Sequence, residues 1–239
     1  MSNLIGLVGA ALLAFSPDLN DGSALARQIA TEYTAQTQGT VTFIVSTASE
    51  VHAVHHIEAS QAAYVYVNGS PIHKRYLKST IGSRAASADE LVKLSAEPEG
   101  ALSRFGMKVP ITPAFVSDFR FGKPRETGEL IAVDFTTEVK DASHGDGTFF
   151  VHRNGQLDHI VFKPAVLPDH VTGMTIELEY GMVMPDRWDV VKIARTFIGH
   201  RGVLSGRVNS TSTYEQYHVY PNEAAAAAAL EALPIIAGH

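Results

Sequence analysis

The sequence contains no cysteine. That excludes a disulfide scaffold, a thiolate metal site, a cysteine nucleophile and a lipid-modified N-terminal cysteine. Tryptophan occurs once, at Trp188. Neither sign of charge is in large excess: 19 Lys and Arg stand against 25 Asp and Glu, a net charge of −6. A mildly acidic chain does not suit a broad nucleic-acid-binding surface. No apolar run reaches the ~20 residues of a standard membrane-spanning helix. Catalytic and nucleotide-binding signatures are also missing. There is no G-x-S-x-G elbow, and no Walker or Rossmann glycine pattern leads from a strand into a helix. Gly199-His200-Arg201-Gly202 reads as a turn between strands rather than a phosphate loop.

What is present is a folded, β-rich chain. Its 239 residues are 45% hydrophobic and 18% charged, enough to bury a substantial core. Leu4 to Phe15 is an uncharged apolar run of twelve residues, the length of the apolar core of a secretory signal. Ala24-Leu25-Ala26 has the small-x-small pattern of a cleavage site, and a cut between Ala14 and Asp21 is the alternative. No Lys or Arg precedes the run. The competing reading is a buried N-terminal segment. The expected organisation is a signal segment over 1–22, one curved-sheet domain over 23–220, and an Ala-rich C-terminal helix or tail over 221–239. The expected location is periplasmic or secreted.

Residues 23–37 place Leu25, Ile29 and Tyr33 on one helical face, with Ser23 as cap and Gly39 as stop. From Thr40 the pattern becomes strand-like. Residues 40–46 are β-branched and aromatic, 50–58 are ambiguous, and 62–68 alternate. Asn68-Gly69 is a two-residue hairpin signal. It predicts the pairs Val67–Ser70, Val65–Ile72 and Tyr64–His73, with an irregular start at Pro71. Ser87 to Glu90 matches a capping box ahead of a helix at 88–96, ended by Pro98. Residues 104–127 read as a long connection anchored by Phe105, Phe115, Phe119 and Phe121.

Strands follow at 129–138, 147–153, 156–163, 173–180, 187–199 and 202–219. Asn154-Gly155 marks a second hairpin, pairing His152 with Leu157 and Phe150 with His159. Six successive strands with short links predict an antiparallel meander. Asn222 caps a final helix rich in alanine, which ends at Pro234. The fold class is therefore α+β and mainly β. About nine or ten strands form a strongly curved antiparallel sheet, a half-barrel, covered by a few helices. Those helices carry few large apolar side chains for so wide a dry face, which predicts an apolar cavity.

The succession Val133-Asp134-Phe135-Thr136, Gly147-Thr148-Phe149-Phe150-Val151, Asn154-Gly155, Phe162-Lys163-Pro164, Met174-Thr175-Ile176-Glu177 and Pro185-Asp186-Arg187-Trp188 carries a family likeness. Together with the export-like start, the helix at 23–37 and the strand ending at Tyr64-Val65-Tyr66-Val67-Asn68-Gly69, it resembles the lipoprotein carrier and lipoprotein-receptor superfamily of the bacterial envelope, the LolA/LolB-like fold. The chain is more similar to other bacterial branches of that superfamily than to the carrier itself. The resemblance spans about residues 23–220. It implies a half-barrel whose apolar concave face is lidded by helices. It supplies no counterpart for the tail after Pro221 and places no lid-latching arginine.

Three functions follow as alternatives. The first is an exported, non-enzymatic envelope protein that binds a hydrophobic ligand on the concave face, an acyl chain or an acylated protein. Sheet-face alternation names Phe135, Phe150, Phe162, Ile176, Leu178 and Trp188 as cavity-lining candidates. No cofactor and no nucleic acid are expected, and transient contact with a membrane surface is. The second is a metal-dependent hydrolase using the loop residues Asp141, His144 and Asp146, whose simpler reading is an Asp- and Gly-rich turn. The third is a non-catalytic envelope scaffold with a filled core. His52, His55 and His56 suggest a metal only on a helix. On a strand, His52 and His56 would stand about 13 Å apart, too far for one ion.

Overall fold

The computed structural model describes residues 20–51, 56–97, 107–201 and 204–237. The apolar run at Leu4 to Phe15, Pro98, Phe105, and His52 and His55 lie outside them. The first helix, α1 (Gly22–Gln36), starts one residue before the sequence-based boundary, because Asp21 rather than Ser23 is its cap. The Asp21 carboxylate accepts from the backbone N–H of Ser23 at 2.8 Å and of Ala24 at 3.4 Å. Strands β1 (Thr40–Val51), β2 (His56–Val67), β3 (Ser70–Ile81) and the short β4 (Arg84–Ala85) follow. The helix α2 (Ala88–Ala96) begins on a complete capping box, in which Ser87 and Glu90 satisfy each other's backbone N–H.

After α2 the chain carries a 3₁₀ turn (Val116–Asp118) and the short strands β5 (Arg120–Phe121) and β6 (Arg125–Thr127). The meander β7 (Leu130–Thr136), β8 (Gly145–His152), β9 (Leu157–Pro164), β10 (Val171–Met184), β11 (Arg187–Arg201) and β12 (Leu204–Tyr220) comes next. The helix α3 (Glu223–Glu231), capped by the Asn222 side chain, closes the described chain. Twelve strands therefore replace the nine or ten expected. The sequence reading did not resolve the short strands β4, β5 and β6.

All strand pairs are antiparallel and form one open sheet in the order β4-β3-β2-β1-β12-β11-β10-β9-β8-β7-β5, with β6 also on β7. The sheet is an open half-barrel with helices. The last strand of the meander lies beside β1, which joins the two halves. Register shifts between β10 and β11, and between β1 and β12, insert bulges that increase local twist.

The first hairpin has the expected two-residue turn but departs from the expected register beyond it, and the second has a longer turn. At the first, Asn68 (φ 48°) and Gly69 (φ 80°) both occupy the left-handed region, and Val67 pairs with Ser70 as expected. Beyond Pro71 the register slips: Val65 faces His73 and Tyr64 faces Lys74, not Ile72 and His73. Pro71 has no N–H to give the ladder, and a bulge follows it. At the second hairpin only Gly155 has positive φ (87°). Its N–H donates to His152 O at 2.9 Å, and the His152 N–H donates to Gln156 O at 2.8 Å. This longer turn pairs Leu157 with Val151, not His152, while the bulge above it keeps Phe150 opposite His159.

The sheet has cover on both faces. The inner face carries the main core: Val41, Phe43 and Tyr66 in one half, Phe135, Phe149, Ile160, Phe162, Ile176, Leu178 and Ile193 in the other. It is covered by Leu25, Ala26 and Ile29 of α1 and by Met107, Val109, Ile111 and Phe119 of the chain before β5. On the opposite face of β1–β3 the alanine helix α3 docks, and Ala226 and Leu230 are buried with Ala63, Val65 and Leu77. Its small side chains let the helix lie close against the strands. The free edge of β3 is blunted as well. Tyr76 N–H donates to Ser95 Oγ at 2.8 Å, and Leu77 O accepts from Ile236 N–H at 2.7 Å.

Candidate functional site

Directly opposite residues on antiparallel neighbours share a face, so the register fixes which side chains meet. Phe162 lies opposite Ile176 and also opposite Gly147. Ile160 faces Leu178, and Trp188 faces Met182. Phe135 faces Gly147 across β7–β8, and a Cβ on Gly147 would stand 2.7 Å from Phe135 Cζ. The absent side chain of Gly147 therefore makes the room that the Phe135 ring occupies. Of the six candidates, the structure brings Phe135, Phe162, Ile176, Leu178 and Trp188 to the inner face. The first four are fully buried and Trp188 is partly buried against them. Phe150 points to the opposite face, where its ring stacks on His159 with centroids 4.0 Å apart. Its neighbours Phe149 and Val151 take the inner positions of β8.

The seam between α1 and the sheet is where this inner face meets solvent. A small cleft of about 30 Å³ lies there, lined by Ile29, Glu32 and Tyr33 of α1 and by Leu157, Tyr180 and Trp188 of the sheet. Tyr33 meets Tyr180 edge to face at 6.2 Å. The Trp188 indole N–H donates to Leu157 O at 2.6 Å, which fixes the ring across the ends of β9 and β11. Met182, opposite Trp188, is 68% exposed, so a large apolar side chain stands in water beside the seam. The space holds a water or two, not an acyl chain. Occupancy by anything larger requires α1 to move. Sequence reasoning missed Ile29, Tyr33, Leu157, Tyr180 and Met182 as seam residues. Only the helical spacing of Leu25, Ile29 and Tyr33 signalled part of it.

At the other end of the sheet a second device holds the chain before β5 in place. Asp141 Oδ1 accepts from the backbone N–H of Ser143 and of His144, from Ser143 Oγ, and from His144 Nδ1 at 2.9 Å. The hydrogen bond from His144, with those from Ser143, holds the Asp141 carboxyl well below the usual carboxylate range. The buried His144 ring turns its Nε2 to Asp118 Oδ2 at 3.2 Å and packs beside Phe119. Ser143 O accepts from Lys108 N–H at 2.8 Å, and Asp118 O accepts from Thr137 Oγ at 2.9 Å. Asp146 does not join Asp141 and His144, because its Oδ1 accepts from Thr137 N–H at 3.0 Å. Among the described residues no three His, Asp or Glu side chains are grouped to hold a metal ion. The loop is a hydrogen-bonded turn that ties the inner cover to the β7–β8 connection.

Above the buried cluster the inner face turns polar. Thr47 and Ser212 hydroxyls meet at 2.9 Å, and Ser49 Oγ donates to Ser210 Oγ at 2.9 Å. Arg195 shares this face, since it lies opposite both Ile176 and Ser210. Among the described residues no helix is long and apolar enough to cross a membrane.

No family profile and no curated protein matches the chain. Solved structures do align with it. A LolA superfamily protein from Nitrosomonas europaea is 9% identical, with 84% of this chain and 96% of that one covered and a TM-score of 0.43. A domain named for outer membrane lipoprotein sorting, from Vibrio parahaemolyticus, is 10% identical over 84% and 94% of the two chains, with a TM-score of 0.46. MucB of Pseudomonas aeruginosa, solved with MucA, aligns over 82% of this chain at a TM-score of 0.22 and 8% identity.

Proposed function

We propose that this protein is an exported envelope carrier that takes the acyl chain of a hydrophobic ligand, or of an acylated protein, between α1 and the inner face of its sheet. One observation carries the reading: a continuous apolar sheet face is covered at its solvent-facing seam by a single helix. That helix buries Leu25, Ala26, Ile29 and Ala30 there, with Met182 exposed at the rim. Leu and Ile contribute ~1.5–3 kcal/mol each on burial and alanine far less, so the seat of α1 is worth roughly 6 kcal/mol. An acyl chain gains ~0.8 kcal/mol per buried CH₂, so about eight methylenes offset the displaced helix. Phe162, Ile176, Leu178, Phe135 and Trp188 would then line the opened space. Phe150 would not, since its ring stacks on the other face.

The test is native mass spectrometry of protein purified from a bacterial envelope, followed by organic extraction. The expected result is a co-purifying acylated species, at up to one per chain. A bare mass, with no uptake of added long-chain fatty acid, would overturn the reading in favour of a scaffold with a filled core. A mass raised by a metal ion alone would turn it toward the hydrolase.

A further inference from the structure

We infer that the upper inner face of the sheet, at Arg195, binds the anionic head group of the ligand whose tail α1 covers. The inference rests on the carrier reading and adds the ligand's charge to it. Arg195 lies opposite Ile176 on β10, and Ile176 is 1% exposed within the core, so the guanidinium projects from the inner face. On its other side Arg195 lies opposite Ser210. Ser210 accepts from Ser49, which leaves its own hydroxyl hydrogen available to a ligand.

Among the described residues the charge of Arg195 has no acidic partner. No hydrogen bond or ion pair holds its guanidinium among the described residues. Glu58 ends the same lateral row beyond Ser49 and Ser210, three strands away, about 14 Å at the usual spacing. The neighbouring cation of β11, Lys192, faces the other way and is paired with Glu179 at 2.5 Å. Half-buried and still open to solvent, the Arg195 guanidinium offers a planar fork that, with the adjacent Ser210 hydroxyl, matches a carboxylate or a phosphate. From Arg195 to the seam at Met182 is six residues of β10, counted from Ile176, or about 20 Å. That places a charged site and an apolar seam at the two ends of one face, as an anionic amphiphile requires.

The experiment is calorimetric titration of the full chain with dodecanoate, dodecyl phosphate and dodecanol, repeated on Arg195→Gln and Arg195→Lys. The expected result is that at least one anion binds about tenfold or more tighter than the alcohol. Arg195→Gln abolishes that preference and leaves alcohol affinity unchanged, while Arg195→Lys keeps part of it. Which anion is preferred distinguishes a carboxylate from a phosphate head group. Equal binding of alcohol and anions, or a preference that survives Arg195→Gln, would overturn the head-group assignment and leave the carrier reading standing. Failure of all three probes to bind would overturn the carrier reading and this inference with it.

Discussion

Ile29→Ala separates a helix that gates from a helix that merely fills. Ile29 is 4% exposed, one turn after the fully buried Leu25, and it lines the cleft beside Tyr180 and Trp188. The truncation removes three carbons, a transfer loss of about 2.4 kcal/mol, and with the added cavity cost and the relaxation around it the total is about 2–4 kcal/mol. Where that loss is felt depends on how α1 opens. If α1 lifts as a unit while the sheet stays folded, the loss falls on its local opening. Native-state hydrogen exchange then shows the α1 amides around Ala30 to Tyr33 losing protection by roughly 30-fold to several hundred-fold. Protection in β8, β9 and β10 stays unchanged. If α1 opens only with the whole molecule, helix and strands lose the same protection. Equal loss in both refutes gating by α1. No loss in either refutes the packing argument itself.

Four further outcomes follow from the same geometry. Gly147→Ala would force a Cβ against Val161 O and the Phe135 ring, so it should destabilise by about 2–4 kcal/mol. A melting temperature within one degree of the parent would contradict that. Asp141→Asn should be less stable than the parent at neutral pH. The folded carboxyl titrates below its unfolded value, so its contribution is present above about pH 4 and is lost as pH falls further. The melting-temperature gap should therefore narrow below about pH 4, and a gap constant down to pH 2 would rule the explanation out. Ser87→Ala removes one half of the capping box and should cost about 1 kcal/mol. Unchanged exchange of the first-turn α2 amides would show the cap to be idle. Trp188 is the only tryptophan and lines the seam, so a bound acyl chain should shift its emission saturably, and a response that persists in Trp188→Phe would place the signal elsewhere.

Much of the architecture was legible because strand patterns announce themselves locally. The alternation of Met174, Ile176, Leu178 and Tyr180 marks β10, and Ser87 with Glu90 marks the start of α2. Long-range pairing has no such local mark. Nothing in Thr40–Val51 or Leu204–Tyr220 alone says that β1 and β12 lie side by side, yet that pairing joins the halves of the sheet. The hairpin registers were legible in part, since Val67–Ser70 and Phe150–His159 pair as expected and the other predicted pairs do not. A two-residue turn was the natural reading of both Asn-Gly pairs. The proline after the first moved the ladder by one from Val65 onward, whereas the single left-handed residue of the second changed only the pair next to the turn, and a bulge restored Phe150 opposite His159. A one-residue slip reverses which side chains face the core, so turn chemistry decides far more than the turn.

The inner face shows the same dependence in its chemistry. Phe149 and Phe150 are adjacent and both apolar, so alternation within β8 does not say which points inward. The signal lies in Gly147: only the face lacking a Cβ there admits the Phe135 ring, and Phe149 and Val151 share its parity. Arg195 was hidden by an irregularity of the opposite kind. In β11 the inner positions pass from Trp188 and Val190 to Ile193, because the register shifts by one opposite Glu179 and Tyr180. A strict alternation from Trp188 would turn Arg195 outward as one more solvated cation. Read from Ile193 and Phe197, which face Leu178 and Met174, the same residue interrupts an apolar row from within. A guanidinium set into that row by the ladder, half-buried beside Ser210 and without a protein partner among the described residues, is a stronger pointer to a ligand than any spacing of histidines in the chain, since its planar fork is open to a carboxylate or a phosphate.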